Sequence, residues 1–480
     1  MNDLHSFPRL VIAGMSGSSG KTVVSMGLLQ LLRHAGAEAR AFKKGPDYID
    51  TAWLGWASSH TARNLDTYLM GPERALESFT RHAAPDGINL IEGNRGIFDG
   101  FDAAGTHSTA ALARCLCAPV ILVVNASKMT RTAAALVLGC QKLDPAVAIR
   151  GVVLNNVSGE RHREVLRSAI ESACSIPVVG TLPKVKVGLL PERHLGLVPP
   201  EEHSATKRLE RDLLDLVKRR MDLDALLAIA RSAPPLPRAP QGDAPEPIAA
   251  PVSIAYMKDA AFTFYYPENL EQLERAGARL IPVSALHATA LPDDLQALYI
   301  GGGFPETHAQ SLSENSSFLQ SLRRAALRGL PIYAECGGLM LLAKNLLWKG
   351  ARYPMAGVFP FDVEVCGSSQ GHGYSELRVD KPNPFFPAGL TLRGHEFHYS
   401  RVLPCRETVP TACVVDRGVG CFNKREFVMT RTVVATYTHL HALASPEWAT
   451  GIVNAARGFT FQAASRTGNR KIGVASAGRR

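Results

Sequence analysis

Leu330-Pro-Ile-Tyr-Ala-Glu-Cys-Gly-Gly-Leu-Met340 is the stretch on which the reading of this chain turns. An apolar run with β-forming Ile332 and Tyr333 leads into Cys336, two glycines follow, and an apolar, helix-like run begins. The pattern predicts a strand running into a tight elbow that presents one thiol at the start of a helix. A helix N-terminus favours negative charge and so favours the thiolate, which is the nucleophile. Gly337 and Gly338 let the backbone turn sharply and let a substrate approach. Standing alone, such a Cys is ordinarily a packed core thiol. Its surroundings in the chain decide against that here.

Some thirty residues upstream, Tyr299-Ile-Gly-Gly-Gly-Phe-Pro-Glu306 is another strand followed by a glycine turn. The N–H groups around Gly302 and Gly303 supply one side of a candidate oxyanion hole, and the N–H of Gly337 the other. Downstream, Val433-Val-Ala-Thr-Tyr-Thr-His-Leu-His441 predicts a strand ending in two histidines, a rigid way to bring a base to a thiol. Together these pieces resemble the layout of class I (triad) glutamine amidotransferases. That resemblance, through the segment Tyr437-Thr438-His439, favours His439 as the catalytic base beside the nucleophile Cys336. His441, two residues on and on the same face of a strand, competes with it. In that class a Glu two residues after the His orients it. His441 stands there instead, so no carboxylate is assigned and a dyad is open.

Arg393-Gly-His-Glu-Phe-His-Tyr-Ser400 invites a metalloprotease reading and fails it on spacing. His395 and His398 are one residue short of the H-E-x-x-H that puts two histidines on one helical face. The segment alternates like a strand and is read as structural or substrate-facing.

Farther out, Pro234, Pro235, Pro237, Pro240, Pro245, Pro247 and Pro251 exclude a helix or central strand, so residues 232–251 are expected to be an extended linker. Before it, Leu10–Ala13, Asn89–Ile91, Pro119–Val124, Gly151–Leu154 and Pro177–Val179 are short apolar runs of the kind that form buried parallel strands. After it the alternation restarts. The expected fold class is therefore α/β, with two doubly wound domains at 8–231 and 252–457. Residues 458–480 are expected to be a basic, disordered tail.

Directly after the first strand comes Ala13-Gly-Met-Ser-Gly-Ser-Ser-Gly-Lys-Thr22, then an amphipathic helix. This is the context of a phosphate-binding loop. Backbone N–H groups of Gly17, Ser18, Ser19 and Gly20 can cradle phosphate oxygens, Lys21 can reach the outer phosphates, and the Thr22 hydroxyl can bind Mg²⁺. The spacing departs from G-x4-G-K-[ST], since Met15 stands where the first glycine is expected. Ser16 stands where partition-type ATPases carry an extra lysine. Two later segments, Phe42-Lys-Lys-Gly-Pro-Asp-Tyr-Ile-Asp50 and Ile91-Glu-Gly-Asn-Arg-Gly-Ile-Phe-Asp-Gly100, place charged groups at strand ends. Asp47 and Glu92 are, with Thr22, the candidate Mg²⁺ ligands. Lys43, Lys44, Tyr48 and Asp99 are the candidates to hold substrate or the transferring phosphoryl group.

Those segments, with Asn64-Leu-Asp66, resemble the signatures of cobyrinate a,c-diamide synthases over about Arg9 to Trp448. The family has an ATP-binding domain similar to dethiobiotin synthetase fused to a glutamine amidotransferase domain. The resemblance implies a P-loop NTPase-like first domain that uses ATP·Mg²⁺ to phosphorylate a carboxylate, with Asn155 reading the adenine and Gly180–Pro183 lining it. It implies an enzyme of cobalamin biosynthesis, a carbon–nitrogen ligase taking L-glutamine and amidating the a and c acetates of cobyrinate or hydrogenobyrinate. Close relatives act on sirohydrochlorin, nickel-sirohydrochlorin or sirohaem-type tetrapyrroles, and the residues leave that choice open. A rival of another class is a nucleotide-dependent binding switch with an inactive glutaminase domain. Intact Cys336 and His439 argue against it.

The whole composition agrees with a globular, multidomain protein: 480 residues, 46% hydrophobic and 20% charged. No apolar run of membrane-spanning length is present, and Met1–Pro8 lacks the pattern of a secretory signal. Nine scattered cysteines without zinc spacing fit a reducing, cytoplasmic setting. A net charge of +10 permits an anionic ligand, but without aromatic interleaving or a sustained basic run no nucleic-acid partner is expected. Self-association as a homodimer is left open.

Overall fold

The computed structural model describes residues 4–184, 192–193, 196–202, 206–239 and 251–459. Of the expected linker, 240–250 lie outside the described residues, as does the tail beyond 459.

The first half is a seven-stranded, all-parallel sheet in the order Arg63–Leu65, Ala39–Lys44, Ile88–Glu92, Arg9–Gly14, Val120–Asn125, Ile149–Val157, Val178–Pro183. Its central strands are apolar on both faces because helices cover both. Leu10 and Ile12 enter one buried cluster while Val11 and Ala13 enter another. This is why they read as continuous apolar runs rather than alternating ones. The winding reverses at Arg9–Gly14, since the chain leaves it for Ala39–Lys44 on one side and later crosses from Ile88–Glu92 to Val120–Asn125 on the other. A crevice therefore opens at its carboxyl end, where the glycine loop lies. The described start of the proline segment stays extended. Leu236–Pro237 pairs antiparallel with Leu4–His5, which stitches it to this half.

The second half is a ten-stranded sheet whose first five strands, Ala278–Val283, Val252–Met257, Ala297–Ile300, Ile332–Glu335 and Val433–Thr436, are parallel. Antiparallel strands then continue through Arg425–Thr430, Thr411–Arg417, Gly371–Val379 and Thr391–His398. The α/β architecture in two halves is as expected from the sequence, the second sheet being mixed, and Thr391–His398 is a strand, as its alternation predicts.

The last histidine segment departs from expectation. The strand Val433–Thr436 stops, and the chain resumes as His439–Leu440 against Gly394 and His395 at the far margin of the sheet. Buried Glu426 draws the chain aside by accepting from the Tyr437 N–H at 3.2 Å and the Thr436 hydroxyl at 2.9 Å, while Thr438 N–H turns onto Thr436 Oγ1 at 3.0 Å.

The halves share apolar and polar contacts. Phe304, from the glycine turn of the second half, is fully buried in the same cluster as Ile49 and Trp53 of the first. Arg63 reaches Glu268 at 3.2 Å and Glu271 at 2.5 Å, and Tyr266 donates its hydroxyl to Pro46 O at 3.1 Å.

Candidate active site

Cys336 sits at the expected elbow, between Ile332–Glu335 and the short helix Gly337–Leu342. Its φ of 48° and ψ of −98° lie where a side chain is rarely found. Such a conformation costs about 1–3 kcal/mol and persists only where the surroundings hold it. Here the Cys336 N–H donates to Thr436 O at 2.7 Å, so the neighbouring parallel strand pins the elbow. That same strand leads into the segment carrying His439.

His439 is buried against the thiol and against Glu335. Its Nδ1 lies 3.3 Å from Glu335 Oε2. Burial alone would lower the imidazole, but hydrogen bonds to Cys336 and Glu335 outweigh it and push its pKa up to about 10. Glu335 is itself fully buried and held in place: Tyr299 donates its hydroxyl to Oε2 at 3.3 Å, and the Leu440 N–H donates to Oε1 at 3.2 Å. A carboxylate thus stands at the imidazole after all, from the residue just before the nucleophile. His441 faces elsewhere, with Nε2 3.7 Å from Glu268 Oε2, its ring 4.5 Å from Tyr266, and its Nδ1 accepting from Leu443 N–H. Burial pushes its pKa down to about 4.

The glycine turn closes over this pair. A Cβ on Gly302 would stand 2.6 Å from His439 Cε1, and one on Gly337 would stand 3.1 Å from the Gly303 nitrogen. Gly303, at φ 155°, leaves no room for a side chain, because its Cβ would meet Ala261 O at 2.1 Å. The two candidate oxyanion donors, Gly303 N–H and Gly337 N–H, therefore flank the elbow. His395 stacks on His439 at 5.0 Å and His398 on Tyr437 at 3.8 Å. No group of three or more His, Cys, Asp or Glu placed to hold a metal occurs among the described residues.

In the first half, the glycine loop is braced from within. Ser19 Oγ accepts from Ser16 N–H at 3.0 Å, and Lys21 Nζ donates to Ser16 O at 2.9 Å and Arg95 O at 2.8 Å. Gly20 ends it at φ 92°, and Asn155 lies close beneath: its Nδ2 donates to Ser19 O at 3.0 Å. Asn155 is therefore a brace of the loop in this structure. Thr22 donates its hydroxyl to Glu92 Oε1 at 3.0 Å, and Lys43 Nζ reaches the same oxygen and Asp50 Oδ2, each at 2.6 Å. Glu92 Oε2 is buried without a partner among the described residues. Asp47 caps the helix Tyr48–Ser58 by accepting from Asp50 N–H, while burial and the nearby Asp50 raise its pKa to about 7. Burial lowers Lys21 to about 8, helped by Lys43. An unpaired buried carboxylate oxygen beside crowded acids and a hydroxyl is chemistry that a hard divalent cation relieves, so the residues fit Mg²⁺. Asp99 is exposed and accepts from Gly96 N–H at 2.8 Å. Lys44 Nζ lies 3.4 Å from Tyr374 OH across the interface.

Tyr48 joins the two ends. It opens the helix capped by Asp47, yet its ring stacks on Phe264 at 5.1 Å and meets His439 at 5.3 Å and His395 at 5.8 Å. Two residues were not singled out from sequence. Asp50 could have been, as an acid three residues after the helix cap. Glu335 could have been, as the one charge in an apolar strand directly before the nucleophile.

A nucleotide-binding loop domain and a Cys–His glutaminase domain in one chain define a glutamine-dependent amidotransferase ligase. Residues 10–198 match the CobQ/CobB/MinD/ParA nucleotide binding domain, and residues 253–447 the CobB/CobQ-like glutamine amidotransferase domain. The chain is 40% identical to the cobyrinate a,c-diamide synthase of Magnetococcus marinus, over 93% of this chain and 96% of that one. It is 41% identical to the Dehalococcoides mccartyi strain CBDB1 enzyme of that name (95% and 99% covered) and 36% identical to that of Salmonella typhimurium (92% and 96%). The chain belongs to the cobyrinate a,c-diamide synthase family. Among the described residues no helix is long and apolar enough to cross a membrane.

Proposed function

We propose that this protein amidates the a and c acetate carboxylates of cobyrinate or hydrogenobyrinate in cobalamin biosynthesis, using ATP and glutamine. The observation that carries this reading is the junction of two sites through Tyr48, one end suited to glutamine and the other to phosphoryl transfer.

At the glutaminase end, the Cys336 thiolate attacks the side-chain amide carbon of glutamine. The oxyanion that forms faces the N–H groups of Gly303 and Gly337. Protonated His439, oriented by Glu335, gives its proton to the departing ammonia, leaving a thioester on Cys336. His439 then takes a proton from water, which attacks the thioester and releases glutamate. At the other end, the loop from Gly17 to Gly20 holds ATP. Thr22, Asp47 and Glu92 would hold Mg²⁺, which supplies charge neutralisation for the phosphates. Lys21 and Lys43 offset negative charge as the γ-phosphoryl passes to a substrate carboxylate, giving an acyl phosphate and ADP. Ammonia attacks that carbonyl carbon, expels phosphate, and the amide remains. Activation is needed because a carboxylate is a poor electrophile, and adjacency of the ends limits loss of ammonia to water.

Purified protein supplied with ATP, Mg²⁺, glutamine and a panel of tetrapyrrole carboxylates, including cobyrinate, sirohydrochlorin and nickel-sirohydrochlorin, tests the proposal by mass spectrometry. Two amidations of cobyrinate are expected. Amidation of another panel member alone reassigns the substrate, and amidation of none overturns the reading.

A further inference from the structure

Away from the thiol, the two halves meet in a second aromatic group. Phe101 and Tyr68 of the first half stack at 4.9 Å, and Tyr68 stacks in turn on Tyr374 of the second half at 4.1 Å, both near parallel. Two guanidinium groups from the second half lie on this stack, Arg417 at 4.0 Å over Phe101 and Arg393 at 5.7 Å over Tyr68. Arg95 of the first half crosses to His372 at 3.0 Å. All three arginines are exposed. Arg393 has one acidic partner, Glu376 at 3.2 Å, whereas neither Arg95 nor Arg417 has an ion-pair partner among the described residues. Beside them Phe397, two strand positions from His395 and four from Arg393 and so on their face, is 37% exposed and touches the His372 ring at 4.8 Å. The stack ends at the phosphoryl site: Tyr374 donates to Asp66 Oδ2 at 2.6 Å and lies 3.4 Å from Lys44 Nζ.

Cations laid on rings are held with their N–H rims outward, which suits bidentate capture of carboxylates. A ledge with two such cations, a third exposed guanidinium at Arg95, a flat exposed aromatic edge and an end at Lys44 complements a flat ligand carrying several carboxylates. We propose that this ledge seats the macrocycle: its peripheral carboxylates pair with Arg95, Arg393 and Arg417, its face lies against Phe397 and His372, and one acetate points to Lys44 for activation. The inference rests on the function proposed above and adds where the substrate is recognised.

Steady-state kinetics on the full chain, with cobyrinate as the varied substrate, test it. Arg393→Ala with Arg417→Ala should raise KM for cobyrinate at least about ten-fold, with KM for glutamine and ATP held and kcat at saturation largely kept. Lysine at both positions should recover part of the loss. Arg431→Ala, on the far side of the glutaminase half, should change none of these values, and circular dichroism checks that each variant folds. An unchanged KM for cobyrinate in the double variant overturns the ledge while the proposed function stands. A wild-type protein that amidates no tetrapyrrole overturns both.

Discussion

At the scale of single residues, Cys336 and His439 are buried side by side, and Glu335 lies on the far nitrogen of the imidazole. Replacing Cys336 by Ala should abolish amidation from glutamine while leaving amidation from added ammonium, because only the first needs the thioester. A nucleotide-dependent binding switch with a dead glutaminase would show no such split. Glu335→Gln should lower glutaminase kcat by up to about 10⁴-fold, the loss seen when the acid that orients a catalytic imidazole is removed. It should also move the alkaline limb of the pH–rate profile to lower pH. The sign follows from the shift: Glu335 helps hold His439 protonated up to about pH 10, so without it the proton leaves earlier. An alkaline limb that stays in place would leave Glu335 a merely structural acid. Cys336, the glycine loop and Lys21 were legible in the sequence because each lies in a compact local pattern. The place of Glu335 as a lone charge was legible too, but its partner was not, because its relation to His439 exists only once two parallel strands pair across 104 residues.

At the scale of elements, the glycine turn after Ala297–Ile300 carries the tightest constraint in the site. Gly303→Ala would push a methyl into Ala261 O, a backbone atom that cannot swing aside, and would hold an L-residue at φ 155°. We expect a loss of about 2–3 kcal/mol of stability, read from denaturant unfolding, with glutaminase activity lost at temperatures where the fold survives. A full-strength glutaminase in that variant would remove Gly303 from the oxyanion site. The parallel strands of both halves could be read as apolar runs because helices bury both of their faces. The antiparallel strands from Gly371 to Thr430 form no continuous apolar runs, and the first is broken by a bulge at Glu376–Leu377, so they left only a partial trace. The split of the histidine segment was hidden for a different reason. It depends on Glu426, a buried acid whose pKa burial raises to about 7, capturing backbone from another strand.

For the whole molecule, the interface is held by charge as well as by rings. Arg63 lies between Glu268 and Glu271, and Glu268 is fully buried. Arg63→Ala leaves that carboxylate without its cation and should cost about 3–5 kcal/mol, measured as a lower unfolding midpoint of the full chain. Acid should act on the same interior. His395, His398 and His441 are held below the usual imidazole range by burial, two of them at about 4. Each is neutral in the fold, so the contribution of these three to stability is complete above about pH 6.5 and is lost as pH falls towards 4, where the unfolded chain takes up protons first. A thermal midpoint flat between pH 7 and 4.5 would contradict this. Tyr48 carries a consequence for how such chains can be recombined. It is encoded with one half but forms part of the wall around the other's base, next to Phe264, Tyr266 and His395. A cut through the proline segment therefore separates two sequences without separating two enzymes. A glutaminase half grafted onto a foreign synthetase would arrive with its histidine open to solvent unless the new neighbour brought its own aromatic plug.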